Sequence, residues 1–121
     1  MSETATDTDL ELFEMANLEP DKTGVDGIVY ISTRQGAHGP RVKFYKRGRV
    51  GREQPSFSVS VAEEPELVAT DMAEREVARH LPTVIEFVRL NRAQLEAFWN
   101  DGHTWLSDEV HAFLNAFVRV P

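Results

Sequence analysis

From about Gly27 onward, the spacing of hydrophobic positions along the chain changes once, near Asp71. Before it, apolar and polar residues alternate with a period of two; after it, apolar residues return every three or four positions. In "RVKFYKR", Val42 and Phe44 point one way while Arg41, Lys43 and Tyr45 point the other. "SFSVSVA" sets Phe57, Val59 and Val61 against Ser56, Ser58 and Ser60, the pattern of an antiparallel strand with one buried and one wet face. The β-branched and aromatic run "GIVYIST" suits a further strand, and the Gly- and Pro-punctuated "RQGAHGP" joins it to the next as a hairpin. After the turn "EEP", the segment "ELVAT" supplies a short fourth strand containing Leu67 and Val68. Nearer the N-terminus, Leu10, Phe13 and Ala16 share one helical face, predicting a short helix that ends before Pro20.

In the C-terminal half, Thr70 or Asp71 is placed to cap a helix, with Glu74 in support. The pattern predicts a first helical segment, "MAEREVARHL", and a second that starts with Pro82 at its first position. Val84, Val88, Asn91, Leu95 and Phe98 form its apolar stripe, widened by Ile85, Phe87 and Trp99. Gly102 is the expected stop of this helix. Ser107 is the expected cap of a last one, whose apolar face is Val110, Phe113, Leu114 and Phe117. Phe98, Trp99 and Trp105 are expected to pack where these two helices meet.

Strands followed by helices predict an α+β fold: an antiparallel sheet of three to four strands in the N-terminal half, packed by two to three helices from the C-terminal half. Residues 1–8 read as a disordered acidic tail and residues 9–121 as one domain. Val42, Phe44, Phe57, Val59 and Val61 then meet the long helix, while Arg41, Lys43 and the serines line the opposite face.

Charge sharpens that picture. The chain carries a net charge of −7, yet residues 27–52 hold seven cations and no acid, so the remainder sums to −14. The segment "STRQGAHGPRVKFYKRGRVGRE" therefore presents Arg34, His38, Arg41, Lys43, Tyr45, Arg47, Arg49 and Arg52 as candidate binding residues on a sheet face and its two loops. An acidic whole disfavours non-specific attraction to nucleic acid, whereas a segregated basic patch can still hold an anion locally.

Candidate chemistry is sparse. The absence of Cys excludes disulfides and thiolate chemistry. His103 and His111 are eight residues apart, not the three or four that place two metal ligands on one helix face. His80 reads as a histidine at a helix end, favoured by the dipole. "QGAHGPR" lacks the Lys-Ser/Thr ending of a phosphate-binding loop, and no serine has a G-x-S-x-G setting. These patterns call for no cofactor, no metal and no catalytic residue. No apolar run approaches the roughly 20 residues of a membrane span, and the N-terminus lacks a secretory signal. A membrane partner is not expected, and cytoplasmic residence is the default.

The segment from Pro55 to Trp99 resembles a small bacterial family known only as a domain of unknown function (number 4160). The likeness lies in the strand "PSFSVSV", a second short strand, and a helix ending "VRLNRAQLEAFW". Members carry histidines in a "P-H-F-H"-like strand; here Ser56 and Ser58 stand at those positions. The resemblance implies an α+β fold and, since members are often encoded in toxin–antitoxin-like pairs, a regulatory binding partner.

Three functions are compatible with these features. The foremost is a non-enzymatic binding or regulatory module whose basic face, residues 34–52, contacts a partner, a protein before a nucleic acid. A second is an acidic, nucleic-acid-mimicking inhibitor from a phage or mobile element. A third is a small enzyme acting on a phosphorylated substrate through His38 and loop cations. Charge segregation also offers a route to a homo-oligomer.

Overall fold

The computed structural model describes residues 15–34, 36–46 and 54–121. Strand β1 (Met15–Leu18) leads into a one-turn helix α1 (Pro20–Thr23), and strands β2 (Ile28–Ser32), β3 (Arg41–Tyr45), β4 (Ser56–Ser60) and β5 (Leu67–Thr70) follow. Helix α2 (Glu74–Asp101), a 3₁₀ turn at Gly102–Thr104 and helix α3 (Ser107–Leu114) complete the fold. The strands form a five-stranded antiparallel meander in chain order, so the α+β arrangement holds with five strands where the sequence predicts three to four.

The additional strand is β1, and it corrects the helix expected before Pro20. Leu18 is buried and Ala16 packs against the core, while Met15 and Asn17 are exposed. That is a period of two, and pairing of Ala16 with Ile31 and Leu18 with Val29 decides the conformation over the helical spacing of Leu10, Phe13 and Ala16. Leu10 and Phe13 lie outside the described residues, as does the tail at 1–8.

Register fixes two faces. Leu18, Val29, Phe44 and Phe57 stand in one cross-strand row and Val42 and Val59 in another, all buried. Helix α2 covers this face with Val84, Val88, Asn91, Leu95 and Phe98, every one of them buried. The Phe44 ring stacks on Phe57 at 4.9 Å and on His80 at 4.8 Å. His80 is thus a core residue inside α2, 3.6 Å from Glu76 one turn earlier, and not at a helix end.

Helix α2 is one element across Pro82, against the expected restart there. Pro82 is exposed, so the carbonyl one turn back that loses its N–H partner can turn to water. The irregularity falls at Asn91 instead (φ −122°, ψ 20°), whose side-chain amide donates to the Phe87 carbonyl at 3.0 Å and competes with the backbone for it.

The two helix starts differ from expectation, while α2 does stop at Asp101 with Gly102 following it. Ala73 occupies the position before α2, because Asp71 is drawn to β4, where its Oδ1 accepts from Ser56 N at 2.8 Å. The hydroxyl of Thr70 accepts from Met72 N at 3.0 Å. Ser107 is the first residue of α3, and Glu109 accepts from Leu106 N at 2.8 Å in its place. Gly102 has helical φ (−56°) and is required for a close approach: a Cβ there would lie 2.5 Å from Phe98 Cδ1 and 2.9 Å from Thr33 Cγ2.

Beyond α3 the chain returns along α2. Gln94 Nε2 donates to the Ala116 carbonyl at 3.1 Å, and Val120 N donates to the Thr23 carbonyl at 2.8 Å. Phe98, Phe113 and Trp105 pack between these elements, with Phe98 and Phe113 stacked at 4.7 Å and Trp105 edge-on to Phe113 at 5.4 Å. The expected aromatic junction is therefore core for Phe98 and Trp105, whereas Trp99 turns away from it to His38, ring centroids 5.4 Å apart. Among the described residues no helix is long and apolar enough to cross a membrane.

Candidate functional site

Among the described residues the second face of the sheet carries no helix, and it is polar by register. One row runs Asn17, Tyr30, Lys43, Ser58 and Ala69 across all five strands, and Tyr45 with Ser56 forms the next. Side-chain size shapes this surface. Tyr30, Arg41 and Lys43 are long, while their neighbours Ser56, Ser58 and Ala69 on β4 and β5 are short, so the surface dips beside the cations. The depression has a volume of about 390 Å³, within the size range of small-molecule sites. Ser58, only 4% exposed, forms its floor.

Its two ends differ in chemistry. Beyond Arg41, the loop before β3 brings His38 over Trp99, ring centroids 5.4 Å apart, and both line the depression. His38 Nδ1 lies 2.8 Å from the Gly39 carbonyl, which helps hold the ring in that place. The opposite end is walled by Thr70 and Asp71. Tyr45, four residues from Arg41 on β3, marks that end, about 13 Å away at the usual strand rise. Asp71 is fixed there twice over, since its backbone N also donates to the Ser56 carbonyl at 3.1 Å.

Arg41 and Lys43 are the electrostatic centre. Among the described residues the ion pairs join Lys46 to Glu76, His80 to Glu76, Arg89 to Glu86 and Arg92 to Glu96. None includes Arg41 or Lys43, and Asp71 lines the same depression without pairing to either. Two cations two positions apart on one strand face thus lack a described carboxylate partner. Beside them, burial pushes the Tyr45 phenol above its ordinary value, with Tyr30 and the negative charge of Asp71 adding to the rise. Tyr45 accordingly stays a neutral hydroxyl at physiological pH.

Of the predicted binding residues, the structure brings His38, Arg41 and Lys43 together in the depression and sets Tyr45 on the same sheet face just outside it. Arg34 is directed elsewhere: its guanidinium donates to Asn100 Oδ1 at 3.1 Å, and its backbone N donates to the Trp99 carbonyl at 2.9 Å. Arg47, Arg49 and Arg52 lie outside the described residues. Tyr30, Ser32, Asp71 and Trp99 complete the site, none of them expected from sequence as a binding residue. Alternation in "IVYIS" marks Tyr30 and Ser32 as outward-facing, whereas nothing local in sequence brings Trp99 or Asp71 to this face. Among the described residues no group of three or more His, Asp or Glu is placed to hold a metal ion.

Compared with models of known protein families, with curated proteins and with solved structures, the chain gives no match.

Proposed function

We propose that the protein is a non-enzymatic binding module whose concave, basic sheet face receives an anionic group of a partner, a protein before a nucleic acid. The observation that carries this reading is the pair Arg41 and Lys43, side by side in a depression with no described carboxylate in ion-pair range. Elsewhere in the described chain, Lys46, Arg89 and Arg92 each have an acid of their own, and Arg75, Arg79 and Arg119, which have none, are exposed, whereas Arg41 and Lys43 are half-buried. A buried or half-buried cation left without an internal counter-charge is a binding determinant supplied in advance, and complementary charge sets partner choice and encounter rate. A protein partner is favoured over nucleic acid because the chain is −14 outside residues 27–52, which repels an extended polyanion.

The test compares wild type with Arg41→Glu and Lys43→Glu in affinity capture from the host. A bound species that disappears with either charge reversal supports the proposal. The same species retained by both variants contradicts it. Binding of a labelled RNA that falls steeply with salt would move the partner to nucleic acid.

A second reading rests on one observation: His38 and Arg41 share the wall of the same concavity. It makes the protein a small enzyme acting on a phosphorylated substrate, with His38 as the proton-transfer group. Release of phosphate from an ester, abolished in His38→Gln, would support it; an ester unchanged after prolonged incubation would end it.

A further inference from the structure

We propose that the anionic group received by this face is a phosphate monoester, held by Arg41 and Lys43 over the serine-lined floor. This rests on reading the face as an anion-binding surface and adds the chemistry of the anion. Charge matching is the first argument. Arg41 and Lys43 are two residues apart on β3 and face the same way, so their Cα atoms are about 7 Å apart, a span their long side chains readily close onto one group. A phosphate monoester brings about −1.5 to −2 charges at neutral pH, whereas a carboxylate brings one and leaves the second cation uncompensated.

Donor supply is the second argument. A phosphate monoester presents three strong acceptor oxygens, and a carboxylate two. Ser32, Ser56 and Ser58 line the same depression as the cations, and each hydroxyl can turn its proton toward an acceptor. Arginine meets two oxygens at once, while lysine acts as a point charge with freely placed donors. A phosphodiester of nucleic acid carries a single charge per phosphate and arrives as part of a long polyanion, which the acidic remainder of the chain opposes.

The site also has room. The depression continues from the cations to the Asp71 end, so the group esterified to phosphate has space alongside it. Asp71 spends Oδ1 on Ser56 N, and its carboxylate is an acceptor for a hydroxyl or amine of the bound molecule. That end favours a hydroxylated or amine-bearing ester and disfavours a second anion. Two sources share this chemistry: a phosphorylated sugar, and a phosphorylated side chain of a protein partner.

The experiment is calorimetric titration of the full chain at low salt with ribose 5-phosphate, ribose, inorganic phosphate, a phosphoserine peptide and the same peptide with glutamate in place of phosphoserine. A monoester should bind about tenfold or more tightly than its uncharged or carboxylate counterpart, as charge-assisted contacts to a dianion require. The tighter of ribose 5-phosphate and the phosphopeptide identifies the source. Arg41→Gln and Lys43→Gln, which keep much of the side-chain stem, should each weaken that binding about tenfold with unchanged thermal unfolding. Asp71→Asn should reduce the advantage of ribose 5-phosphate over inorganic phosphate.

Equal affinity for the glutamate peptide overturns the phosphate assignment and leaves the anion-binding reading standing. No binding of any monoester also overturns the assignment, whatever the host capture shows. Monoester binding that survives both glutamine substitutions overturns the placement at Arg41 and Lys43. Loss of host capture on charge reversal is read separately, so the two proposals fail independently.

Discussion

The side chain of Asn91 pairs with the backbone of Val118 as a neighbouring strand would: Nδ2 donates to the Val118 carbonyl at 2.9 Å, and Oδ1 accepts from Val118 N at 2.8 Å. The same amide reaches the Phe87 carbonyl, so one side chain that is 1% exposed satisfies the helix irregularity and the returning C-terminal segment together. Asn91 stands in the apolar stripe of α2 because its polar atoms are fully engaged there.

Replacing Asn91 by Ala leaves the Val118 backbone groups without these partners. The expected loss is about 0.5–1.5 kcal/mol for each hydrogen bond removed, its usual net worth, because Val118 is half-exposed and water can take up part of the lost pairing. Denaturant unfolding measures it. In a chain ending at Phe117 the same substitution should cost less, and an equal cost in both backgrounds would show that the Asn91–Val118 pair is not the cause.

Gly24 closes α1 with φ 77°, and the carbonyl of Val120 lies against the position a Cβ would take. Gly24→Ala therefore meets two penalties, of which left-handed backbone alone is worth roughly 1–2 kcal/mol. The substitution should lower the thermal midpoint and release the terminal segment first, seen as faster amide exchange at Val120, which donates to Thr23.

Tyr45 gives a signed pH effect. Its folded-state value lies above 10, so through and above about pH 10 the folded chain keeps a proton that the unfolded chain releases. Its contribution is fully present below about pH 10 and is lost as the pH rises through the folded value. Thermal midpoints measured at rising pH should fall more steeply for wild type than for Tyr45→Phe. Parallel curves would contradict this account of the phenol.

The architecture was legible where side chains alternate strongly or repeat every turn. Val42 to Phe44, Phe57 to Val61 and the stripe from Val84 to Phe98 each carry one uninterrupted period, and each is buried as it predicts. Strand β1 was not legible, because four residues fit either period and only pairing with β2 separates them. The kink moved from Pro82 to Asn91 for a tertiary reason, the partner at Val118, which no window around residue 91 contains.

For the site, His38, Arg41 and Lys43 could be named from charge, and the serines placed beside the two cations from alternation. The depression itself could not be read. It arises from short side chains on β4 and β5 set by register against long ones on β2 and β3, closed by Trp99 from the far end of α2. Arg34 shows the converse limit: its charge belongs to the same segment, yet the turn after β2 sends it to Asn100.

The most direct test follows the backbone amide and indole N–H signals of the isotopically labelled chain during titration with whichever of ribose 5-phosphate and the phosphoserine peptide binds more tightly, in wild type and in Ser58→Leu. Ser58 forms the floor of the depression, so leucine fills it and leaves every charge in place. The account predicts saturable shifts in wild type concentrated at Arg41, Lys43, Ser56, Ser58 and the Trp99 indole, and weakened about tenfold or more in Ser58→Leu, as expected when a ligand must displace a packed side chain. Shifts that are absent, that map to the exposed surface of α2 or α3, or that persist unchanged in Ser58→Leu would contradict it.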